Sequence, residues 1–130
     1  MRLSTTFLDF EINEQGNHAG FVLKESPETA AMDSGFWRLI LDDGMKTEIP
    51  VYSTQQKGTV RSCGNGLIVE YDHLVSEYGD EYPIRLEVKV ETDGSLLHFA
   101  STIENHGPTV RVNECFCPTA DFTRLYGPKE

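Results

Sequence analysis

The chain has 130 residues, of which 38% are hydrophobic and 10% aromatic, a composition that excludes a disordered segment and fits one folded domain over residues 1–130. Its 11 basic residues stand against 21 acidic residues, which gives a net charge of −10 with neutral histidines. A field of that sign repels nucleic acid and anionic membrane surfaces, so neither is expected as a partner.

The cellular compartment is predicted from three features of the sequence. Residues 1–13 alternate like a strand and do not show a basic segment followed by an apolar run, so we expect no signal peptide. No apolar run approaches the roughly 18 residues of a transmembrane helix. The three cysteines are odd in number and argue against a disulfide framework. We therefore expect a cytoplasmic protein.

The beginning of the chain predicts a β-hairpin. Residues 6–13 alternate apolar and polar side chains, as a half-buried strand does. Residues 14–17 have the composition of a turn, and residues 19–24 return as a second strand. Such a turn requires a positive φ at Gly16 or Asn17.

The next part of the chain combines an aperiodic segment with a second strand pair. Residues 25–35 show no period and are predicted as a loop with at most one short helical turn. Residues 36–41 resume a strand, and after a turn the strand at 46–53 contains Pro50. Because proline cannot donate a hydrogen bond to the ladder, this strand is expected at a sheet edge or bulged at Pro50.

The second half of the chain predicts two further hairpins and a last strand, at residues 59–63 with 67–74, 84–92 with 96–104, and 110–116. The first hairpin is joined by Gly64-Asn65-Gly66, a strong turn signal. Nine or ten strands of this spacing predict an all-β fold, an antiparallel β-sandwich. The segment 117–130, which has no closing signal, indicates a fragment of a longer multidomain chain.

No motif in the sequence specifies a catalytic or metal site. Cys115 and Cys117 would share a face of a strand, but only Cys63 accompanies them, and structural zinc normally requires two such pairs. There is no Gly-x-Ser-x-Gly elbow, and the four histidines are scattered. We therefore expect no catalytic residues, no metal and no cofactor in this chain.

Carboxylates are the one set that leaves an enzymatic alternative open, because glycoside hydrolysis needs only two of them, roughly 5 to 10 Å apart. Solvated side chains in turns, polar loops and strand faces explain all of them without catalysis, and this interpretation is favoured. The candidates are Asp42, Asp43, Glu70, Asp72, Glu77, Asp80 and Glu81.

Aromatic side chains with a polar group provide surfaces on which sugar rings stack. We take five residues as carbohydrate-contact candidates: Trp37, Tyr78, Tyr82, Asp80 and His106. Trp37 has a core alternative, since it stands among apolar neighbours. For Tyr78 and Tyr82 the ligand and the structural interpretations are equally open.

Three stretches of the sequence carry a resemblance to a known family. They are Phe36-Trp37-Arg38-Leu39 leading into Leu41-Asp42-Asp43-Gly44, then Ile68-Val69-Glu70-Tyr71, and the segment from Leu97 to Pro118. In this order they resemble the galactose-mutarotase-like β-supersandwich, in the version found as the amino-terminal module of bacterial glycoside-hydrolase-like proteins. The catalytic His and Glu motifs of true mutarotases are not matched.

The resemblance implies a non-catalytic, carbohydrate-associated module. Such a module packs on a downstream catalytic domain of the same chain and helps to shape its sugar cleft. Two alternatives remain. One is a stand-alone interaction domain that forms a homodimer through a sheet edge near Pro50, and the other is an aldose-epimerase-like sugar enzyme.

Overall fold

The structure is a computed structural model that describes residues 1–25 and 30–119, with the backbone alone for residues 30–34. In chain order its strands are β1 (Arg2–Ser4), β2 (Leu8–Ile12), β3 (Ala19–Leu23), β4 (Ala30–Ser34), β5 (Arg38–Asp42), β6 (Ile49–Tyr52), β7 (Thr59–Cys63), β8 (Gly66–Tyr71), β9 (Leu74–Val75), β10 (Glu81–Tyr82), β11 (Ile84–Thr92), β12 (Leu97–Asn105) and β13 (Arg111–Phe116). The one helical element of the described residues is a 3-10 turn, Ser53–Gln55.

The strands form four antiparallel sheets. Their orders are β1-β2-β3-β4, β12-β11-β8-β7, β13-β5-β6 and the two-stranded β10-β9. The longest ladder joins β11 to β12 over nine pairs, from Ile84 opposite Asn105 to Thr92 opposite Leu97. All-β architecture, predicted from the alternating pattern, is confirmed.

The sheets pack around one contiguous hydrophobic core. Buried apolar residues of β2, β5 and β11 alternate with half-buried ones, so one face of each of these strands is turned inward, whereas β8 is buried along almost its whole length. The fully buried Phe10 contacts the rings of Phe21, Phe36 and Phe99 at centroid distances of 5.1, 5.9 and 5.5 Å. The arrangement is sandwich-like.

Two details of the predicted hairpins are confirmed. Gly16 has a φ of +67°, and an added Cβ there would lie 2.4 Å from Cγ1 of Val69, so both the backbone and the packing demand glycine. The strand that contains Pro50, β6, pairs only with β5 and lies at the edge of its sheet.

Two predictions about the strands are wrong. The described residues contain thirteen strands and not nine or ten, because β1, β9 and β10 are too short to show a period. The segment 25–35 was expected to be a loop, but β4 lies within it and pairs with β3. Its Ala-Ala-Met-Asp-Ser sequence does not alternate, so pairing and not pattern makes it a strand. Residues 26–29 of that prediction lie outside the described residues.

Candidate functional site

A short hairpin formed by β9 and β10 carries three of the five carbohydrate-contact candidates. Val75 pairs with Glu81 and Leu74 with Tyr82, which leaves residues 76–80 as the connecting turn. The amide of Ser76 donates to the carbonyl of Asp80 at 2.8 Å, and Ser76 Oγ accepts the amide of Tyr78 at 3.1 Å. These bonds fix the turn that presents Tyr78.

The buried side chain of Gln56 holds this hairpin to the rest of the fold. Its Nε2 donates to the carbonyls of Tyr52 and Val75, and its Oε1 accepts the amide of Val75, each at 2.8 Å. The amide group therefore pairs with Val75 as a neighbouring strand would. Gln56 is 1% exposed, so these bonds lie away from water.

The turn between β5 and β6 lies beside the hairpin. Oδ1 of Asp43 accepts the amides of Met45 and Lys46 at 2.9 and 2.8 Å, and these bonds hold the pKa of Asp43 below its ordinary value. The amide of Glu77 donates to the carbonyl of Pro50 at 2.9 Å. This bond joins the hairpin to β6, the strand that follows the turn.

Tyr78, Tyr82, Asp80, Asp43 and Lys46 form what we call the tyrosine patch. Tyr78 is 58% exposed, and Nζ of Lys46 lies 4.6 Å from the centroid of its ring. Tyr82 is half-buried, and its pKa is raised first by burial and then by the negative charges of Asp80 and Asp43. A cationic group therefore lies over the exposed ring of Tyr78, and two carboxylates act on the neighbouring, half-buried Tyr82.

The structure brings three of the predicted residues together, places the backbone of His106 against the residue that follows Tyr82, and buries Trp37 in the core. His106 is exposed, and its amide donates to the carbonyl of Pro83, one residue after Tyr82, at 2.9 Å. Its imidazole Nε2 lies 3.6 Å from the carboxylate of Glu104. Trp37 is 1% exposed and packs edge-on against Tyr71, so its ring has no open face for a sugar.

Sequence reasoning missed Lys46, Asp43 as part of the patch, and Gln56. The turn signal Asp42-Asp43-Gly44 predicted a turn at this position, but it did not predict that the turn would lie beside Tyr78. Lys46 and Tyr78 are 32 positions apart, and no local period links them. Gln56 has no pattern of its own, because a polar residue after a strand is expected to be solvated.

The carboxyl groups of the described residues show displaced pKa values in one direction only. The pKa is lowered by backbone amides at Asp42, Asp43 and Asp93, and by the Arg61 and Arg85 side chains at Glu70. Nε of Arg61 and Nη2 of Arg85 lie 3.0 and 2.7 Å from the Glu70 carboxylate. A general acid for glycoside hydrolysis needs the opposite displacement.

The cysteines and the other polar clusters add no second site to the described residues. Cys115 is exposed, and burial raises the pKa of the half-buried Cys117 to about 12. Within residues 1–25 and 30–119 no group of three or more His, Cys, Asp or Glu side chains is arranged to hold a metal ion. In the same residues no helix is long and apolar enough to cross a membrane.

A scan against protein-family models finds no match for this chain, and a search of curated proteins finds none either.

Proposed function

We propose that this chain is a non-catalytic, carbohydrate-associated β-sandwich module that contributes one wall of a sugar site in a glycoside-hydrolase-like protein. The observation that carries the proposal is the tyrosine patch, in which Lys46 lies over the exposed ring of Tyr78 and the carboxylates of Asp80 and Asp43 act on the neighbouring Tyr82. The other wall would come from a downstream catalytic domain of the same chain.

The chemistry of the patch suits a sugar better than a purely apolar ligand. The C–H face of a pyranose stacks on an aromatic ring, while its hydroxyls require donors and acceptors at the ring edge. Nζ of Lys46, which lies over the Tyr78 ring, supplies a donor, and the carboxylates of Asp43 and Asp80, which act on Tyr82, supply acceptors. The short hairpin, held by Gln56, keeps Tyr78 in place, which reduces the conformational entropy lost on binding.

The non-catalytic part of the proposal is supported by the carboxyl groups. The four with displaced pKa values are stabilised in the ionised form, so none of them is prepared to protonate a leaving group. The resemblance to the amino-terminal module of glycoside-hydrolase-like proteins points in the same direction. Hydrolysis or epimerisation of a sugar by the isolated chain would contradict this part.

Replacing Tyr78 with alanine tests the patch directly. We expect the wild-type chain to bind members of a panel of oligosaccharides, and Tyr78→Ala to weaken that binding about 10-fold, because an aromatic contact contributes roughly 0.5–1.5 kcal/mol beyond the area that it buries. Binding is measured by titration calorimetry with the glycan that binds best on an array. Unfolding in urea is expected to change little, since the side chain is 58% exposed.

Phe7→Ala is the matched control for this experiment. Phe7 is also 58% exposed but lies directly before β2, where its carbonyl accepts the amide of Lys24. The preceding residue, Thr6, donates its amide to the carbonyl of Gly94 in the β11–β12 turn. Sugar binding should be unchanged in Phe7→Ala. If both variants lost the same affinity for the sugar, binding would not depend specifically on Tyr78. That result would contradict the tyrosine patch as the sugar site.

A further inference from the structure

Within residues 1–25 and 30–119, one edge of the β12-β11-β8-β7 sheet has no strand paired with it along its full length. β12 pairs with β11 over nine residues without a register shift, and no other described strand pairs with it. The strand is nine residues long, well above the usual length of five or six. It therefore presents the longest uninterrupted strand edge in the described residues.

The hydrogen bonds at both ends of the β11–β12 ladder define which backbone groups are free. The amide of Asp93 donates to the carbonyl of Leu96 at 3.3 Å, and the amide of His106 donates to the carbonyl of Pro83 at 2.9 Å. Antiparallel pairs alternate between bonded and non-bonded, so the even positions from 98 to 104 bond to β11. The odd positions from 97 to 105 direct their N–H and C=O groups to the open edge.

β12 itself carries none of the sequence features that protect an edge strand from pairing. Natural edges are blunted by lysine, proline, bulges or short length, and the sequence Leu-His-Phe-Ala-Ser-Thr-Ile-Glu-Asn has no lysine, no proline and no bulge. Its one carboxylate is Glu104, although the whole chain carries a net charge of −10. By contrast β7, at the other edge of the sheet, has five residues and carries Arg61.

The inward face of β12 is also incompletely covered. Leu97, Phe99 and Ile103 lie opposite the buried face of β11 but are themselves only half-buried. Ser101, between them, is exposed, and its hydroxyl lies 3.7 Å from Sγ of Cys115 on β13, the edge strand of the facing sheet. A strand added beside β12 would shield this apolar row.

We propose that the partner of β12 is β12 of a second copy of this chain, paired antiparallel about a two-fold axis at Ser101. In that register Ser101 faces its own copy, Phe99 faces Ile103, and Leu97 faces Asn105. All of these are odd positions, so every free amide and carbonyl meets a partner. The result is a continuous sheet of eight strands across the dimer.

The side chains agree with the same register. His98 lies opposite Glu104 on the outward face, which places an imidazole against a carboxylate twice in the dimer. Both side chains are exposed and free to turn from their present contacts, Asp93 for His98 at 3.2 Å and His106 for Glu104 at 3.6 Å. Phe99 against Ile103 is an aromatic and β-branched pair, which stabilises antiparallel strands. This self-complementarity favours a second copy over an unrelated strand.

The dimer is independent of the sugar site, since the tyrosine patch lies on β9, β10 and the β5–β6 turn. The sheet edge that forms the proposed dimer, β12, also differs from the edge near Pro50 that the sequence suggested. Sedimentation equilibrium of the chain over a micromolar concentration series is expected to show a monomer–dimer equilibrium. A monomer at every concentration would overturn the proposal, whatever the chain does with sugars.

Three variants locate the interface. Ser101→Pro removes an amide that makes no bond to β11, and Ser101→Lys places two like charges together on the axis. Each should weaken dimerisation about 10-fold or more, while Thr59→Lys, the same added charge on exposed β7, should not. Circular dichroism verifies that the variants fold. Equal effects of Ser101→Lys and Thr59→Lys would overturn the interface.

A charge exchange keeps the test valid if the Ser101 variants do not fold. His98→Glu alone places a carboxylate opposite Glu104 of the other copy, twice in the dimer. The repulsion between these like charges should weaken the dimer about 5- to 10-fold. Combining His98→Glu with Glu104→Lys restores opposite charges and should return the dissociation constant to within about 2-fold of the wild type. Failure of the double variant to recover would contradict the register.

Discussion

Gln56→Leu is expected to lower the free energy of unfolding by about 4 kcal/mol, because three hydrogen bonds are lost and the backbone groups of Val75 and Tyr52 that face the buried side chain are left without partners, at roughly 1–3 kcal/mol each. Leucine has a similar volume, so the loss reflects polar groups and not a cavity. Urea denaturation followed by tryptophan fluorescence measures the change. We also expect weaker sugar binding, since the hairpin that carries Tyr78 loses its anchor.

The neighbouring Gln55 provides the control. Gln55 is exposed, and Gln55→Leu makes the same chemical change one position away. Its effect on stability should stay within about 0.5 kcal/mol, the ordinary range for surface substitutions. If both variants lose the same stability, the buried amide is not the anchor of the hairpin.

Tyr71→Phe is expected to destabilise the fold by about 3 kcal/mol through the loss of one oxygen atom. Trp37 Nε1 donates to the Tyr71 hydroxyl at 3.0 Å, and that hydroxyl donates to the carbonyl of Gly16. Tyr71 and Trp37 are 0% and 1% exposed. Removing the hydroxyl therefore leaves a buried indole N–H and a buried carbonyl without partners. Thermal or urea unfolding measures the loss.

Tyr52→Phe is the matched control for this prediction. The half-buried Tyr52 hydroxyl makes no hydrogen bond within residues 1–25 and 30–119. Its removal should change stability by less than about 0.5 kcal/mol. A Tyr71→Phe protein as stable as the wild type would mean that the hydrogen-bonded chain from Trp37 to Gly16 contributes nothing to the fold.

The larger strands could be predicted from the sequence because their cause is local. The strand β11 alternates apolar and charged residues along its whole length, and Gly64-Asn65-Gly66 specifies the β7–β8 turn. Pro50 excludes a central position for β6. Each of these signals acts through backbone chemistry within a few residues, so no knowledge of the neighbours is needed.

The missed elements depend on contacts between distant segments. β4 has no alternation and becomes a strand through β3, while β9 and β10 consist of two residues each and are held by Gln56. The tyrosine patch contains both residues that are close in the sequence and a residue that only the fold brings near. Tyr78, Asp80 and Tyr82 are neighbours in the sequence and were identified, whereas Lys46 reaches Tyr78 through the fold.

Trp37 shows why composition alone does not identify a ligand surface. An indole ring can form part of a binding site or part of a hydrophobic core. In this fold Trp37 is buried together with Phe36 and Leu39, so it belongs to the core. Its one polar atom is satisfied by Tyr71 instead of by a ligand. Exposure separates the two roles, and exposure depends on the strands that cover the residue.

The central claim is that a sugar binds at the tyrosine patch, and NMR titration of the isotope-labelled chain tests it most directly. Adding the oligosaccharide that binds best should shift amide and tyrosine-ring signals of residues 76–82 and 42–46, while signals of β2 and β12 stay unchanged. Shifts confined to another surface, or none with any glycan of the panel, would contradict the claim.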